Sequence, residues 1–427
     1  MLRLDPVLDT VLDGRTKGIP ATATPFRLRD VARQGWNVLR EDLPLPLMVI
    51  RRTALDNNIA VFGDYLETHN LSLAPHGKTT MAPQIFEEQL DHGAWGITAA
   101  TAGQVQVMHH YGVRRVILAN QLIGRANIAA IAKLLNTDPD FDFYTYVDSI
   151  DQLSHLDHHL SMLGTDRPLK LLIEVGVAGG RTGLRGIGQA LAVADALSMA
   201  DPARFRFAGV AAFEGVVPDA ADNPSAVAHY AQSVVDVARA LPPALTAGLD
   251  EFVLTGGGSS FFDLVADAFK LHGLGVPVRI VLRSGCYVTN DSGSYRAAQR
   301  AAAADPKRSW SGELRPALEA WAYVQSRPEP DLAFVTMGKR DVPYDAGLPI
   351  PFRLYRPGTG FIGVGECEVF ATNDQHTYVR LGEGADWQVG DMVASGISHP
   401  CTAFDKWRFL PVVDDEYNVI DGVLTYF

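Results

Sequence analysis

The pattern of hydrophobic and polar positions changes once along this chain of 427 residues. Between about residues 71 and 283, short runs rich in β-branched and aromatic residues alternate with longer stretches of helical periodicity, which is the pattern of repeated βα units. The eight runs are Ser72–Lys78, Trp95–Ala99, Arg115–Ala119, Phe141–Val147, Lys170–Val175, Phe205–Phe213, Glu251–Thr255 and Val278–Arg283. They predict an α/β fold, a closed (β/α)₈ TIM-type barrel, with an open doubly wound sheet as the alternative.

A second pattern begins after about residue 290, where short apolar runs are separated by glycine and proline turns. Helical character at Ala301–Ala304 is followed by five runs typical of strands: Ala320–Val324, Asp331–Thr336, Phe361–Phe370, Thr377–Leu381 and Asp391–Ser395. This pattern predicts a β-rich C-terminal domain. The strand-like run Leu47–Ile50 precedes the barrel, so we expect it to pair with that domain, and Val31–Leu39 has helical character. The predicted division is residues 1–50, 51–285 and 286–427.

Composition narrows the class of protein. Apolar residues make up 47% and charged residues 20% of the chain, and no apolar run approaches the roughly 18 residues that a membrane span needs. A formal charge of −12 argues against nucleic acid as a partner, since binding to phosphate backbones needs a basic surface. Met1–Pro6 lacks the cationic and apolar parts of a secretory signal. Three cysteines, an odd number, fit a reducing compartment, so we expect a cytoplasmic protein.

Lys78 is the first candidate for chemistry. Active sites of (β/α)₈ barrels lie at the carboxyl ends of the strands, and Lys78 closes the first run two residues after His76. Partial burial lowers the pKa of a lysine enough for its amine to condense with a carbonyl group. A lysine that only caps a loop is the alternative.

Glycine-rich segments follow the seventh and eighth runs. Gly257, Gly258 and Ser259 open a helix after the seventh run, where backbone N–H groups can face an anion. Arg283–Cys286 ends the eighth run and adds Gly285 and the backbone of Cys286. Phosphate sites of such barrels often use these two loops, although a glycine triplet can also serve only a tight turn. A lysine at strand one with an anion site at strands seven and eight suggests pyridoxal phosphate.

Two further features could bind a cofactor or a metal ion. Arg181, in a glycine-rich segment after the fifth run, could hold a cofactor oxygen or a substrate carboxylate, or could pair with Glu174 on the surface. His399 and Cys401 lie two residues apart, so on an extended strand they would face the same side, where imidazole and thiolate suit zinc. Two ligands leave positions for water or substrate, as catalytic zinc requires. A histidine beside a core cysteine is the alternative.

As a set, these motifs resemble a known family. Pro75–Thr79, the Arg181 turn, the Gly257–Ser259 loop and Ser398–Cys401 resemble the zinc- and pyridoxal-phosphate-dependent D-serine dehydratases and D-threonine aldolases, which share the alanine racemase-like barrel. The resemblance extends from about Leu45 to the C-terminus.

The resemblance implies roles for these residues. It implies a Schiff base on Lys78, Arg181 near the cofactor oxygen, zinc on His399 and Cys401, and a homodimer. It places the phosphate around Gly257, Gly258, Ser259, Gly285 and Cys286. His76 joins Lys78 and Arg181 as a catalytic candidate. Dehydratases of the family have His-x-Cys and aldolases His-x-Asp, so the expected reaction converts D-serine to pyruvate and ammonia.

The chain departs from the family pattern near its active-site motifs. Thr80 and Met81 stand where a histidine often follows the lysine. Phe213 replaces a common tyrosine, and Val216 stands where a histidine follows Glu214-Gly215. Arg283 falls where alanine racemases place the arginine that faces the pyridine nitrogen, which would keep that nitrogen unprotonated and make the ring a weaker electron sink.

Other functions stay open at this stage. Retro-aldol cleavage of a 3-hydroxy-D-amino acid is the main enzymatic alternative, and racemisation has no use for a zinc pair. A pyridoxal phosphate carrier is the non-enzymatic alternative, although the C-terminal domain exceeds what such a barrel protein needs. A sugar-phosphate barrel enzyme would lack the cofactor altogether.

Overall fold

Eight parallel strands form one sheet in the computed structural model, which describes residues 1–220 and 223–427. The strands are Ser72–Leu73, Ile97–Ala99, Arg115–Gln121, Asp142–Val147, Leu169–Val175, Phe205–Ala212, Phe252–Gly256 and Val278–Leu282. All eight predicted runs contain a strand. Strands two to eight pair with their sequence neighbours, and strand one pairs with strand eight through Leu73 and Leu282.

Backbone hydrogen bonds join strand one to strand two as well. The Leu73 carbonyl accepts from Trp95 N at 2.7 Å, and the Pro75 carbonyl accepts from Thr98 N at 2.9 Å. The sheet is therefore continuous around the barrel, and the open-sheet alternative is wrong. Small and aromatic side chains fill its interior, among them Ala208 and Tyr146.

Helices cover the outside of the barrel, and most of them have an apolar stripe that packs on the strands. Their bounds are Arg52–Thr68, Pro83–Asp91, Ala102–His110, Arg125–Thr137, Ile150–Leu163, Ile187–Met199, Pro224–Ala240, Pro243–Thr246 and Phe262–Lys270. No helix among the described residues is long and apolar enough to cross a bilayer.

The C-terminal domain is a set of mostly antiparallel strands after the helix Ser294–Ala304. Its strands are Leu318–Glu329, Leu332–Val335, Ile350–Arg356, Gly360–Ile362, Cys367–Thr372, Thr377–Leu381, Met392–Gly396, Phe409–Val413 and Val419–Leu424, with a short helix at Cys401–Phe404. The long strand Leu318–Glu329 pairs with Met392–Gly396 on one side and with Leu332–Val335 near its end. The β-rich domain that the sequence indicated is confirmed.

The N-terminal segment joins the C-terminal domain. Strand Leu47–Arg51 pairs antiparallel with Leu318–Glu329 and parallel with Phe409–Val413. Earlier apolar side chains such as Val7 and Val38 are buried in the same core. The division at residues 50 and 285 stays a prediction.

The α-helix expected at Val31–Leu39 is absent. The segment forms a 3₁₀ turn at Ala32–Gln34, which ends at Gly35 with a φ of 66°. Asn37 then bridges to Asn418, and its side-chain amide donates to the Glu416 carbonyl at 2.8 Å, so pairing with the C-terminal hairpin replaces the helical pattern.

We predict that Asp263→Ala lowers the free energy of unfolding by about 3–5 kcal/mol, because it leaves the buried Arg308 guanidinium without its anion. Arg308 Nε donates to Asp263 at 2.6 Å, and both side chains are almost fully buried. Urea unfolding followed by tryptophan fluorescence measures the change. The matched control is Asp267→Ala on the same helix, whose more exposed pair with Lys270 should contribute less than about 1 kcal/mol. Equal effects of the two substitutions would contradict the prediction.

Candidate active site

Lys78 lies at the carboxyl edge of the barrel, although not at a strand end as expected. Strand one ends at Leu73, and Lys78 sits on a 3₁₀ turn at Gly77–Thr79. The extended segment between them is held by His76 N, which donates to the Arg283 carbonyl at 3.2 Å. A lysine on this turn projects over the barrel mouth instead of continuing the strand.

Gly285 allows the loop after strand eight to pack against the lysine turn. A Cβ atom at this position would lie 2.6 Å from both the His76 carbonyl oxygen and Thr79 Oγ1. Any larger residue would therefore push the two loops apart. The glycine predicted to serve an anion therefore also lets the loops after strands one and eight approach each other closely.

One continuous cleft is lined by all of the predicted site residues except Gly257. A cavity of about 460 Å³, within the usual size of a ligand pocket, adjoins a smaller one of about 60 Å³, and the two share Lys78 and Arg283 among their lining residues. The predicted residues that line the two cavities are His76, Lys78, Arg181, Gly258, Ser259, Arg283, Gly285, Cys286, His399 and Cys401. A third cavity, of about 770 Å³, is larger but lies over strands three and four and lacks the lysine, the glycine loop and the cysteines.

Two buried polar atoms at the cleft are without hydrogen-bond partners. They are Nδ1 of His76 and the hydroxyl of Tyr146, whose side chain comes from strand four. Burial, together with the positive charges of Lys78 and Arg283, holds the pKa of His76 well below its usual value, so its ring is neutral. Unpartnered buried polar atoms are costly, and a bound polar ring would satisfy them.

The glycine loop after strand seven binds an anion, and that anion is a side chain. Glu214 accepts from Gly258 N at 2.6 Å and from Gly257 N at 3.2 Å. Burial raises the pKa of this carboxyl group, although the two backbone hydrogen bonds lower it in part. Ser259 Oγ accepts from Cys286 N at 3.1 Å, so the loops after strands seven and eight meet there. Ser259, Gly285 and Cys286 are the part of the predicted phosphate site that Glu214 does not engage.

Two arginines flank the cleft differently. Arg283 is buried and fixed, since its guanidinium donates to Thr255 Oγ1 at 2.7 Å and to the Ala212 carbonyl. Arg181 is exposed, and its guanidinium lies 4.6 Å from the centre of the Phe213 ring. The structure places it over this ring, in a cation–π contact.

His399 and Cys401 meet, although not on an extended strand. The preceding strand ends at Gly396, and Cys401 is the first residue of the short helix Cys401–Phe404. The hydrogen bond with Cys401 and the neighbouring Asp345 raise the pKa of His399 to about 9. Nitrogen and sulfur donors suit zinc. Across residues 1–220 and 223–427, no three His, Cys, Asp or Glu side chains are already grouped to hold a metal ion.

Sequence reasoning missed Asp345, which orients the histidine. His399 Nδ1 lies 2.5 Å from Asp345 Oδ2, and Thr402 Oγ1 donates to the other carboxylate oxygen at 2.8 Å. A carboxylate on one ring nitrogen leaves the other nitrogen for a metal ion. Asp345 is 54 residues before His399 in a glycine- and proline-rich loop, so its spacing carried no metal signal.

Comparisons with known proteins agree with this architecture. The family model described as putative serine dehydratase domain matches residues 317–413, which include His399 and Cys401. D-threonine aldolase from Arthrobacter sp is 25% identical over 390 residues, covering 89% of this chain and 88% of the relative. 3-Hydroxy-D-aspartate aldolase from Paracoccus denitrificans is 25% identical over 347 residues, covering 80% and 82%.

Solved structures confirm the fold. D-threonine aldolase from Filomicrobium marinum superposes with a TM-score of 0.72 at 23% identity, covering 92% of this chain and 96% of that one. D-threo-3-hydroxyaspartate dehydratase from Delftia sp. HT23 gives 0.70 at 20% identity, covering 91% and 99%. Alanine racemase from Clostridium difficile 630 gives 0.55. The matches confirm the resemblance to the D-serine dehydratase and D-threonine aldolase family with its alanine racemase-like barrel.

We predict that Asp345→Asn weakens metal binding about 10- to 100-fold, because the amide holds the His399 ring less firmly than the carboxylate does. Competition with a chromophoric chelator measures the affinity. Asp374→Asn, at an exposed carboxylate in the same domain, is the control and should leave it unchanged. An unchanged affinity in Asp345→Asn would show that the carboxylate does not support a metal ligand.

Proposed function

We propose that this protein is a pyridoxal-phosphate- and metal-dependent lyase that acts on D-3-hydroxy amino acids. The leading reaction is the dehydratase reaction, in which D-serine loses water and the product of that elimination is then hydrolysed by water, giving pyruvate and ammonia. One observation carries the proposal: Lys78 of the barrel and the His399–Cys401 pair of the C-terminal domain line the same cavity of about 460 Å³. A carbonyl-reactive amine and a metal site in the lining of one cleft suit a substrate whose α-carbon and β-oxygen react together.

The residues present fit both groups. Pyridoxal phosphate would be held by Lys78, by the backbone of the Ser259 and Gly285 loops and by the unpartnered polar atoms of His76 and Tyr146. A metal ion would be held by His399 and Cys401. When bound, the cofactor supplies an electron sink for the substrate α-carbon and the metal ion a Lewis acid for its β-oxygen.

The side chains then divide the proton chemistry. Lys78 Nζ would bind the cofactor and afterwards take up the proton from the substrate α-carbon. Neutral His76 can orient polar groups beside it without adding charge. Arg283, fixed by Thr255 and Ala212, would keep a positive charge beside the ring. Arg181 stands at the open side of the cleft, where a substrate carboxylate would enter.

Two observations favour different reactions. The His-x-Cys spacing is the one that dehydratases of the resembled family have, and it favours elimination of the β-hydroxyl. The curated relatives are aldolases by name, which favours retro-aldol cleavage as the second candidate. Both reactions need a D-3-hydroxy amino acid, the amine of Lys78 and a metal ion at His399 and Cys401.

D-threonine distinguishes the candidates in one assay with enzyme supplied with pyridoxal phosphate and zinc. The dehydratase reaction gives 2-oxobutanoate and ammonia, whereas the aldolase reaction gives glycine and acetaldehyde. We expect oxo acid from D-threonine and D-serine, and none from the L-isomers. His399→Ala should abolish the formation of oxo acid, while His376→Ala, at an exposed turn, should retain this activity. A protein that carries the cofactor but leaves every D-3-hydroxy amino acid unchanged would be a carrier instead of a lyase.

We predict that Lys78→Ala eliminates the visible absorption band of the bound cofactor and its attachment to the chain after borohydride reduction, because Lys78 is the one lysine among the described residues that line the cleft. Absorption spectra and peptide mass spectrometry measure this. The control is Lys133→Ala on the outer helix Arg125–Thr137, which should behave as wild type. Attachment to a different lysine would reject this assignment of the site. The homodimer and the cytoplasmic location stay predictions.

A further inference from the structure

Two thiols from different parts of the chain meet at the metal end of the cleft. Cys286 follows barrel strand eight, and Cys401 belongs to the C-terminal domain. Their sulfur atoms lie 3.4 Å apart and both cysteines are free. Thr79 Oγ1, on the turn that carries Lys78, lies 3.3 Å from the Cys401 sulfur and 3.8 Å from the Cys286 sulfur.

Cys286 does not behave as an ordinary core cysteine. It is 4% exposed, yet its sulfur faces the polar atoms of Thr79 and Cys401, and the Tyr295 hydroxyl lies beside it. Cys367, by contrast, packs against the apolar core of the C-terminal domain. The side chain of Cys286 lines the cleft together with His399 and Cys401.

We propose that Cys286 is a third protein ligand of the metal ion held by His399 and Cys401, an inference that rests on the proposed function. Two thiolates on one tetrahedral zinc ion, each at about 2.3 Å, place their sulfur atoms about 3.8 Å apart. The separation here is 3.4 Å. The three side chains are not yet arranged around one point. Rotation of the short Cys286 side chain between staggered rotamers is the movement that brings its sulfur toward a shared ion.

A third ligand from the barrel would make the metal ion a link between the barrel and the C-terminal domain. His399 and Cys401 belong to one short segment, so an ion on these two alone links nothing else. With Cys286 the ion connects the C-terminal domain to the loop whose backbone contributes to the anion site. Binding free energy then also stabilises the domain contact, and three protein ligands leave one tetrahedral position for the substrate oxygen.

Cobalt binding tests the inference without turnover. The cofactor-loaded enzyme is stripped of metal with a chelator and titrated with Co²⁺, and its zinc-loaded spectrum is subtracted to remove the cofactor absorption. The near-ultraviolet charge-transfer band reports the number of thiolates on the ion. We expect Cys286→Ser to lose about half of this band, to bind zinc about 10- to 100-fold more weakly and to lose part of the rise in Tm that zinc gives. Cys367→Ser should match wild type.

Each other outcome overturns the proposal in a recognisable way. Wild-type affinity and a full band in Cys286→Ser would show that Cys286 is not a ligand. If Cys286→Ser keeps its affinity but prevents the loss of two thiols under hydrogen peroxide, the pair is a redox couple. If wild type shows no thiolate band at all, the metal part of the proposed function fails as well. Circular dichroism and the cofactor band verify that the variant is folded, and Cys286→Thr provides a second variant that keeps a polar side chain.

Discussion

The position of strand one controls the rest of the site. This strand has two residues, and it is held between strands eight and two by hydrogen bonds that continue past its end through Ala74, Pro75 and His76. Because those bonds fix the segment before Lys78, the lysine turn cannot move independently of the barrel. Gly285 then permits the strand-eight loop to contact the same turn. The hydrogen bonds that close the barrel therefore also fix the geometry of the cleft.

The C-terminal domain lies at the carboxyl edge of the barrel because the chain passes between the domain and the barrel twice. Strand Leu47–Arg51 lies within the C-terminal sheet before the chain enters the barrel, and the chain returns to that sheet after strand eight. Arg51 secures the crossing, since its guanidinium donates to Glu319 at 3.1 Å and to the Tyr417 hydroxyl at 2.9 Å in a buried network. A domain held at both ends can present His399 and Cys401 to the barrel mouth.

Local patterns predicted most of this fold. Most of the barrel strands were visible as runs rich in β-branched and aromatic residues, because parallel strands buried on both faces are almost continuously apolar. Ile350–Arg356 and Phe409–Val413 were missed, since each contains a proline that weakens a strand pattern. Phe361–Phe370 was expected as one strand but is divided between Gly360–Ile362 and Cys367–Thr372, because glycines between them break the run.

The site was predictable only as far as its residue types were unusual. Lys78, the glycine loop and His-x-Cys could be predicted as site residues because each is an uncommon residue type or pattern at its position in the chain. Asp345 and Tyr146 did not, since a loop aspartate and a strand tyrosine are ordinary residues and only the fold brings them to the cleft. The contact between Cys286 and Cys401 was equally invisible, because 115 residues separate them.

Glu214 holds one part of the glycine loop after strand seven, and Ser259 of the same loop contacts Cys286. Its carboxylate engages the N–H groups of Gly257 and Gly258, so a cofactor phosphate beside it must rely on Ser259, Gly285 and Cys286. In the proposed function, the loop that carries Cys286 would lie beside the phosphate, while the Cys286 sulfur faces Cys401. A shift of this one residue would alter both ends of the cleft. In the proposed function, that shared position would let one barrel loop hold cofactor and metal in one fixed relation, as a reaction at adjacent α- and β-atoms requires.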